Sequence, residues 1–430
     1  MLQTHRICIR FSMIALGVIA AGALLGIPSA LAQTHWSIEG TMPSYGESNS
    51  PPPLCPLVPP PYLINFPPIP PAGCPVNLPF APLVGLGGSA VDNDGNVLSG
   101  GPATPAFVHS DGFTLEMTSY AGLYIVSGPV PLGYVFPGPI SGLGYDSAGD
   151  IVWVTDGTMA AGLSMLVPVC PVPAVVVPPF PILSPAGAPQ WGLDWDPCTG
   201  TLWACDLAGN VSQYAIGGAL LFTFNVVPFF PPLLTGLAVN ATNGNIQVTD
   251  GIMVGEFLPV GVPAPAGPFY LSANPYPIPP WAAPVDGLGF SLRPQNYGTN
   301  CNPFGGAGPT IGWGGGYPFA GNGGFTISET GATPGASAIL VYGFGYACPG
   351  LPVGGCPGGM LWIAPPLRLL GVGLVPGSGT ITLPAPIPPP AARPCGFPVG
   401  IPLFLQFVNI LPGGGGLELT DALSFTIGAI

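Results

Sequence analysis

Apolar and polar positions alternate along most of this chain in short runs, each cut off by glycine or proline. The clearest run is Gly142–Gly157, GLGYDSAGDIVWVTDG. Leu143 and Tyr145 alternate with glycines, Asp146-Ser147-Ala148-Gly149-Asp150 turns the chain, and Ile151–Thr155 follows as a β-branched, aromatic strand ended by Asp156-Gly157. The pattern predicts a strand, a tight turn and a second strand. It recurs as GLDWDPCTGTLWACDL (192–207) and GLAVNATNGNIQVTDG (236–251), with looser relatives GSAVDNDGNVLSGG (88–101) and GLGFSLRPQ (287–295). The leading glycines at 88, 142, 192, 236 and 287 are 44 to 54 residues apart.

Further strand-like runs follow each hairpin, at Phe113–Thr118, Met165–Val169, Val211–Tyr214 with Leu220–Val226, and Phe257–Val260. Each repeat therefore has room for about four short strands, and that period with that strand number marks a β-propeller. The units of form GLxxD…G(L/I)W(V/A)xD, with the following VSQYAIGGALLFTF, resemble blades of the NHL and YVTN-like secreted β-propellers. The expected fold class is all-β: a short-bladed propeller over 81–297 with five or six blades, closed by an N-terminal strand or left as an open arc. From residue 298 to 430 glycine-rich alternating runs predict six to eight strands of a compact antiparallel β-sandwich. The order YGTNC…PFAGNGGFTISETGATPGASAILVYGFG…LTDALSFTIG resembles a C-terminal domain common on secreted proteins of environmental bacteria. That resemblance implies surface attachment or sorting rather than a chemistry.

Two stretches precede the repeats. Residues 1–32 carry Arg6 and Arg10, a 17-residue apolar run and the small-residue site Ala30-Leu31-Ala32, the arrangement of a secretory signal. The run is at the short edge for a membrane span, so no span is expected after cleavage, and retention as an anchor is the alternative. Residues 33–80 are rich in proline and predict an extended wrapping segment, with His35–Ile38 able to add a strand to a neighbouring sheet.

Composition changes this picture in one respect. The 67 Gly and 63 Pro, about 30% of the chain, would suggest disorder in a polar sequence. With 48% apolar and 5% charged residues, the chain instead has ample material for a core. The net charge is −13, and −15 once Arg6 and Arg10 leave with the signal; lysine is absent. No basic surface for nucleic acid is on offer. The signal-like segment, together with the resemblance of the C-terminal part to secreted bacterial proteins, implies the bacterial envelope or the extracellular space as the expected location. Nine cysteines remain there as disulfide candidates: Cys55, Cys74, Cys170, Cys198, Cys205, Cys301, Cys348, Cys356 and Cys395. Cys55 with Cys74, Cys170 with Cys198 or Cys205, and two bridges among the last four are the expected groupings.

Catalytic chemistry has few carriers. His35 and His109 are the only histidines beyond the signal, His109 reads as a turn residue, and no nucleophile elbow, HExxH or phosphate loop is present. Asp92-Asn93-Asp94-Gly95-Asn96 starts like a calcium loop but is out of register and reads as a hairpin turn. The repeated aspartates Asp146, Asp156, Asp196, Asp206 and Asp250 are the one candidate metal set, for Ca²⁺, against a plainer role in Asx turns. Trp153 and Trp203 fit either inter-blade packing or a glycan-stacking surface. The sequence thus favours an exported non-enzymatic protein acting through protein or glycan contacts, with no cofactor. Its alternatives are a propeller hydrolase or lactonase with aspartate-held metal, and a carbohydrate-binding module.

Overall fold

The computed structural model describes residues 32–38, 44–50, 63–65, 88–91, 106–110, 114–119, 130–131, 140–149, 151–164, 174–185, 187–229, 233–250, 253–264, 269–270, 285–292, 294–390 and 398–429. Among them the fold is all-β, with one 3-10 turn at Pro412–Gly414. The signal-like segment (1–31), the Asp92–Asn96 turn, and Cys55, Cys74, Cys170 and Cys395 lie outside the described residues.

The strands up to residue 291 come in consecutive sets. The first is β1 (Ala32–Ile38), β2 (Ser44–Ser50) and β3 (Leu63–Asn65). Next come β4 (Gly88–Val91), β5 (Ala106–Ser110), β6 (Thr114–Ser119) and β7 (Val130–Pro131). Then follow β8 (Gly142–Asp146), β9 (Ile151–Thr155), β10 (Met159–Ser164) and β11 (Ala174–Pro181). The fourth set is β12 (Gln190–Asp196), β13 (Thr201–Asp206), β14 (Asn210–Tyr214) and β15 (Leu220–Asn225). The fifth is β16 (Gly236–Val239), β17 (Ile246–Thr249), β18 (Met253–Phe257) and β19 (Phe269–Tyr270), after which β20 (Val285–Ser291) stands alone.

Each set of four is an antiparallel meander, as the hairpin turns dictate. Leu143 pairs with Leu193, so the third and fourth sets join through β8 and β12 into one eight-stranded sheet. β20 does not extend the fifth set; it pairs antiparallel with β1, with Trp36 opposite Leu288 and His35 opposite Gly289. Residues from both ends of this half thus complete one four-stranded sheet, β20-β1-β2-β3. The first strands of the five repeats, β4, β8, β12, β16 and β20, neighbour one another in that order, and β20 returns to β4. The arrangement is propeller-like. His109 sits within β5, opposite Ser89 on one side and Glu116 on the other, so it is a strand residue and not the turn residue its sequence context suggests.

The leading glycine of the repeat has a packing reason. A Cβ on Gly142 would lie 2.8 Å from the backbone N of Leu193. The same atom on Gly192 would lie 2.8 Å from Leu237 N, and on Gly236 3.1 Å from Leu288 N. Each unit therefore presses its first strand onto the backbone of the next, at a distance only glycine allows. Larger side chains fill the space further out. Trp203 of β13 is buried with Leu237, Val239, Ile246, Val248 and Phe257 of the following unit. Trp153 of β9 is buried with Leu193, Leu202 and Tyr214, and stacks on Trp195 at 5.7 Å.

The C-terminal part comprises β21 (Gln295–Tyr297), β22 (Thr310–Gly314), β23 (Thr326–Thr330), β24 (Ser337–Gly343), β25 (Tyr346–Pro352), β26 (Met360–Ile363), β27 (Arg368–Leu374), β28 (Ile381–Pro384), β29 (Pro402–Ile410) and β30 (Leu417–Thr426). A five-stranded sheet, β21-β30-β29-β24-β27, faces a three-stranded sheet, β22-β23-β28. Strand alternation builds the core between them: Leu340, Leu405, Phe407, Leu423 and Phe425 from one sheet meet Ile311, Ile327 and Ile381 from the other. The β25-β26 hairpin covers the opposite face of the larger sheet, where Val341, Phe404 and Ala422 pack with Ile363. Cys301 and Cys356 are joined by a disulfide beside Leu419. The Ala429 N–H donates to Ala241 O (2.9 Å), tying the chain's end to the turn between β16 and β17.

Candidate functional site

The repeat aspartates sit where the hairpins place them, at strand ends beside tight turns. Asp146 accepts from the Gly149 N–H (3.1 Å). Burial raises its carboxyl above the usual range, opposed by the N–H groups of Gly149 and Ala148. Asp196 accepts from the Cys198 N–H (2.9 Å) and the Thr199 hydroxyl (2.6 Å). Asn240, at the matching position, accepts from the Thr242 N–H and hydroxyl at 3.0 and 2.6 Å. Asp156 accepts from the N–H groups of Thr158 and Met159, both at 2.9 Å. Asp206 is fully buried and accepts from the N–H groups of Ala208 and Asn210, again at 2.9 Å. Asp250 is half-buried at the end of β17.

Four of the five carboxylates therefore satisfy their own turns, as Asx chemistry requires. Among the described residues no three His, Cys, Asp or Glu side chains group closely enough to hold a metal ion. Trp153 and Trp203 are each 1% exposed and present no face to solvent. They fill the space between units, so a stacking surface for sugar rings is not among their uses.

Cys198 is disulfide-bonded, Cys205 is a buried thiol, and Cys301 pairs with Cys356. Burial and the neighbouring Asp206 push the Cys205 thiol up, which makes it inert as a nucleophile at neutral pH.

One carboxylate has a different setting. Asp194 occupies the third position of its repeat, where the others carry Ala90, Gly144, Ala238 and Gly289. Its side chain is nearly buried and accepts from N–H groups on three first strands. These are Val239 of β16 (2.7 Å), Trp195 of its own β12 (2.8 Å) and Tyr145 of β8. Burial pushes its carboxyl up to about 7; the three N–H groups pull the other way, and Asp196 adds to the rise. Asp194 does not stand out in the sequence, because GLDWD offers two aspartates and the turn explains only the second. The signal was present: a charged side chain at a position otherwise held by Gly or Ala.

A second missed carboxylate, Glu256 of β18, lies buried under the turn between β16 and β17. It accepts from the side-chain amides of Asn245 (2.6 Å), Asn243 (3.3 Å) and Asn240 (3.5 Å). Both it and Asp194 are consumed by internal hydrogen bonds. These bonds hold neighbouring strands and turns together.

No family model matches the chain, and no curated protein does. Among the solved structures similar to parts of it are two all-β proteins. The WD40 domain of Neurospora crassa Pan2 is 10% identical over 35% of this chain and 38% of that one, with a TM-score of 0.23. A Bacteroides thetaiotaomicron protein of unknown function is 13% identical over 52% of this chain and 53% of that one, with a TM-score of 0.29. The chain thus spans less than two thirds of either. At these TM-scores the likeness carries no argument, and the propeller-like description rests on the strand pairing above.

Proposed function

We propose that this is an exported, non-enzymatic interaction protein. In this reading a five-bladed β-propeller, closed by its N-terminal strand, and a C-terminal β-sandwich act through their outer surfaces at the cell envelope or beyond it. The observation that carries the reading is the contrast between interior and exterior. Carboxylates suited to catalysis are bonded to their own turns or to neighbouring strands. Large apolar side chains, in contrast, lie exposed on outer strands: Val175 and Val176 on β11, and Leu220, Leu221 and Phe222 on β15. Runs of exposed apolar side chains on edge strands suit a contact surface better than a reaction centre.

Three experiments test it. Full-length protein expressed in a bacterial host should leave the cytoplasm and begin at residue 33; retention of residues 1–32 in a cytoplasmic product contradicts export. Purified protein should retain on envelope fractions, and Leu221→Asp with Phe222→Asp should weaken retention by about tenfold. The same preparation should leave lactone and ester substrates intact with or without added Ca²⁺. Turnover that depends on Ca²⁺ and is lost in Asp196→Ala would favour the hydrolase instead.

A further inference from the structure

Glu329 is an anomaly in the C-terminal core. It follows Ile327 by two residues on β23, so its side chain points to the same face, between the two sheets. Its cross-strand neighbours are Ile311 and Ile381, both members of that core. Asn409 enters from the other sheet in the same way, two residues beyond Phe407 on β29. Both are fully buried. The Asn409 Nδ2 donates to Glu329 Oε1 at 2.6 Å. Glu329 Oε2 and Asn409 Oδ1 are both left without a hydrogen-bond partner. Two buried acceptors side by side in an apolar core are costly, and one proton satisfies both.

We propose that Glu329 is a protonated carboxylic acid whose Oε2–H donates to Asn409 Oδ1, closing an acid–amide pair that latches the three-stranded sheet to the five-stranded one. Loss of that proton opens the latch. It leaves an anion facing an unpaired carbonyl, close to a second carboxylate, Glu418 of β30. Glu418 sits opposite Asn409 in the β29–β30 ladder and accepts from the Thr333 N–H (3.0 Å) and hydroxyl. The other side chains next to Glu329 in its sheet are apolar, so Glu418 is the charge that bears on it. Burial, the first cause, and Glu418 raise the Glu329 carboxyl to about 7, against the lowering effect of Asn409. The latch is therefore poised to release near neutrality.

The test uses the full chain. The infrared difference between wild type and Glu329→Gln should contain a carboxylic-acid C=O band that disappears as pH passes about 7, over and above the band that Asp194 contributes to both proteins. Hydrogen exchange at β23 and β29 in the wild type, corrected for intrinsic rate, should accelerate at least about tenfold between about pH 6 and pH 8. Glu329→Gln, which keeps both hydrogen bonds without an ionisable group, should not accelerate. Equal acceleration in both proteins, or no such band above about pH 5, overturns the proposal. Should the glutamine variant fail to fold, Asn409→Leu removes the acceptor and should shift the acid band; an unmoved band overturns the proposal equally.

Discussion

The ring of repeats and the C-terminal module are both antiparallel β, yet they hold their sheets together differently. In the ring, neighbouring units meet backbone to backbone at glycines, and Asp194 fastens three first strands through their N–H groups. In the C-terminal module, two sheets meet across a layer of alternating apolar side chains that includes a buried Glu–Asn contact, and the Cys301–Cys356 disulfide closes a loop beside Leu419. A geometry that recurs must repeat its residues; a single face-to-face core needs only alternation. That is why five glycines at similar spacing announce the first region, whereas nothing in the second points to a particular residue.

The comparison is broken most forcefully by pH. The unfolded chain has Asp194 and Glu329 at ordinary values of 3.8 and 4.5, while the folded protein has both at about 7. Between those values the native state binds more protons than the unfolded state, so stability falls as pH rises and levels off above about 7. The Asp194 contribution is about 4 kcal/mol and that of Glu329 about 3 kcal/mol. Urea unfolding followed across this range should show the protein more stable in mild acid. A rise in stability from about pH 4 to pH 7 contradicts both assignments.

Next in size is the disulfide. Cys301 and Cys356 are 55 residues apart, so opening the bridge with paired serines should cost about 4 kcal/mol by the chain-entropy relation. The loss should appear as faster exchange in β22 to β30 and leave β8 to β18 unchanged; the reverse distribution refutes the division of roles.

Glycine substitution probes the ring itself. Gly192→Val places a side chain against Leu237 N and Cys205 Sγ, both 2.8 Å from the Cβ position, and should cost about 3 kcal/mol. Gly371→Ala in β27 meets nothing within 4 Å and should stay within about 0.5 kcal/mol of the wild type. Equal effects in denaturant titrations would remove the packing reason for the repeat. Asp196→Ala removes two turn hydrogen bonds and should cost about 1 kcal/mol in the same titrations, with or without Ca²⁺.

How legible the molecule is in its sequence follows from these contacts. The hairpins of the repeats were readable because Asp146, Asp196 and Asn240 bond their own turns, a local interaction with a local signature. The partner of β20 was only half readable: His35–Ile38 looked like a spare strand, but its pairing with Val285–Ser291 depends on the ring bringing the two together. Asp194, Glu256 and Glu329 were illegible in role, because each is explained by groups that lie far away in the chain or on other strands. Conversely the recurrence of Trp153 and Trp203 at one position of successive repeats already favours packing over sugar stacking, and their burial agrees with it.

The proposed closed ring depends on β1 pairing with β20. Thr34 and Phe290 are paired residues in that ladder. With cysteines at both positions, mild oxidation of the folded protein should join them, and peptide mapping should recover the 34–290 crosslink with the Cys301–Cys356 bridge intact. Two thiols that stay reactive at 34 and 290 in folded protein would contradict the closed ring.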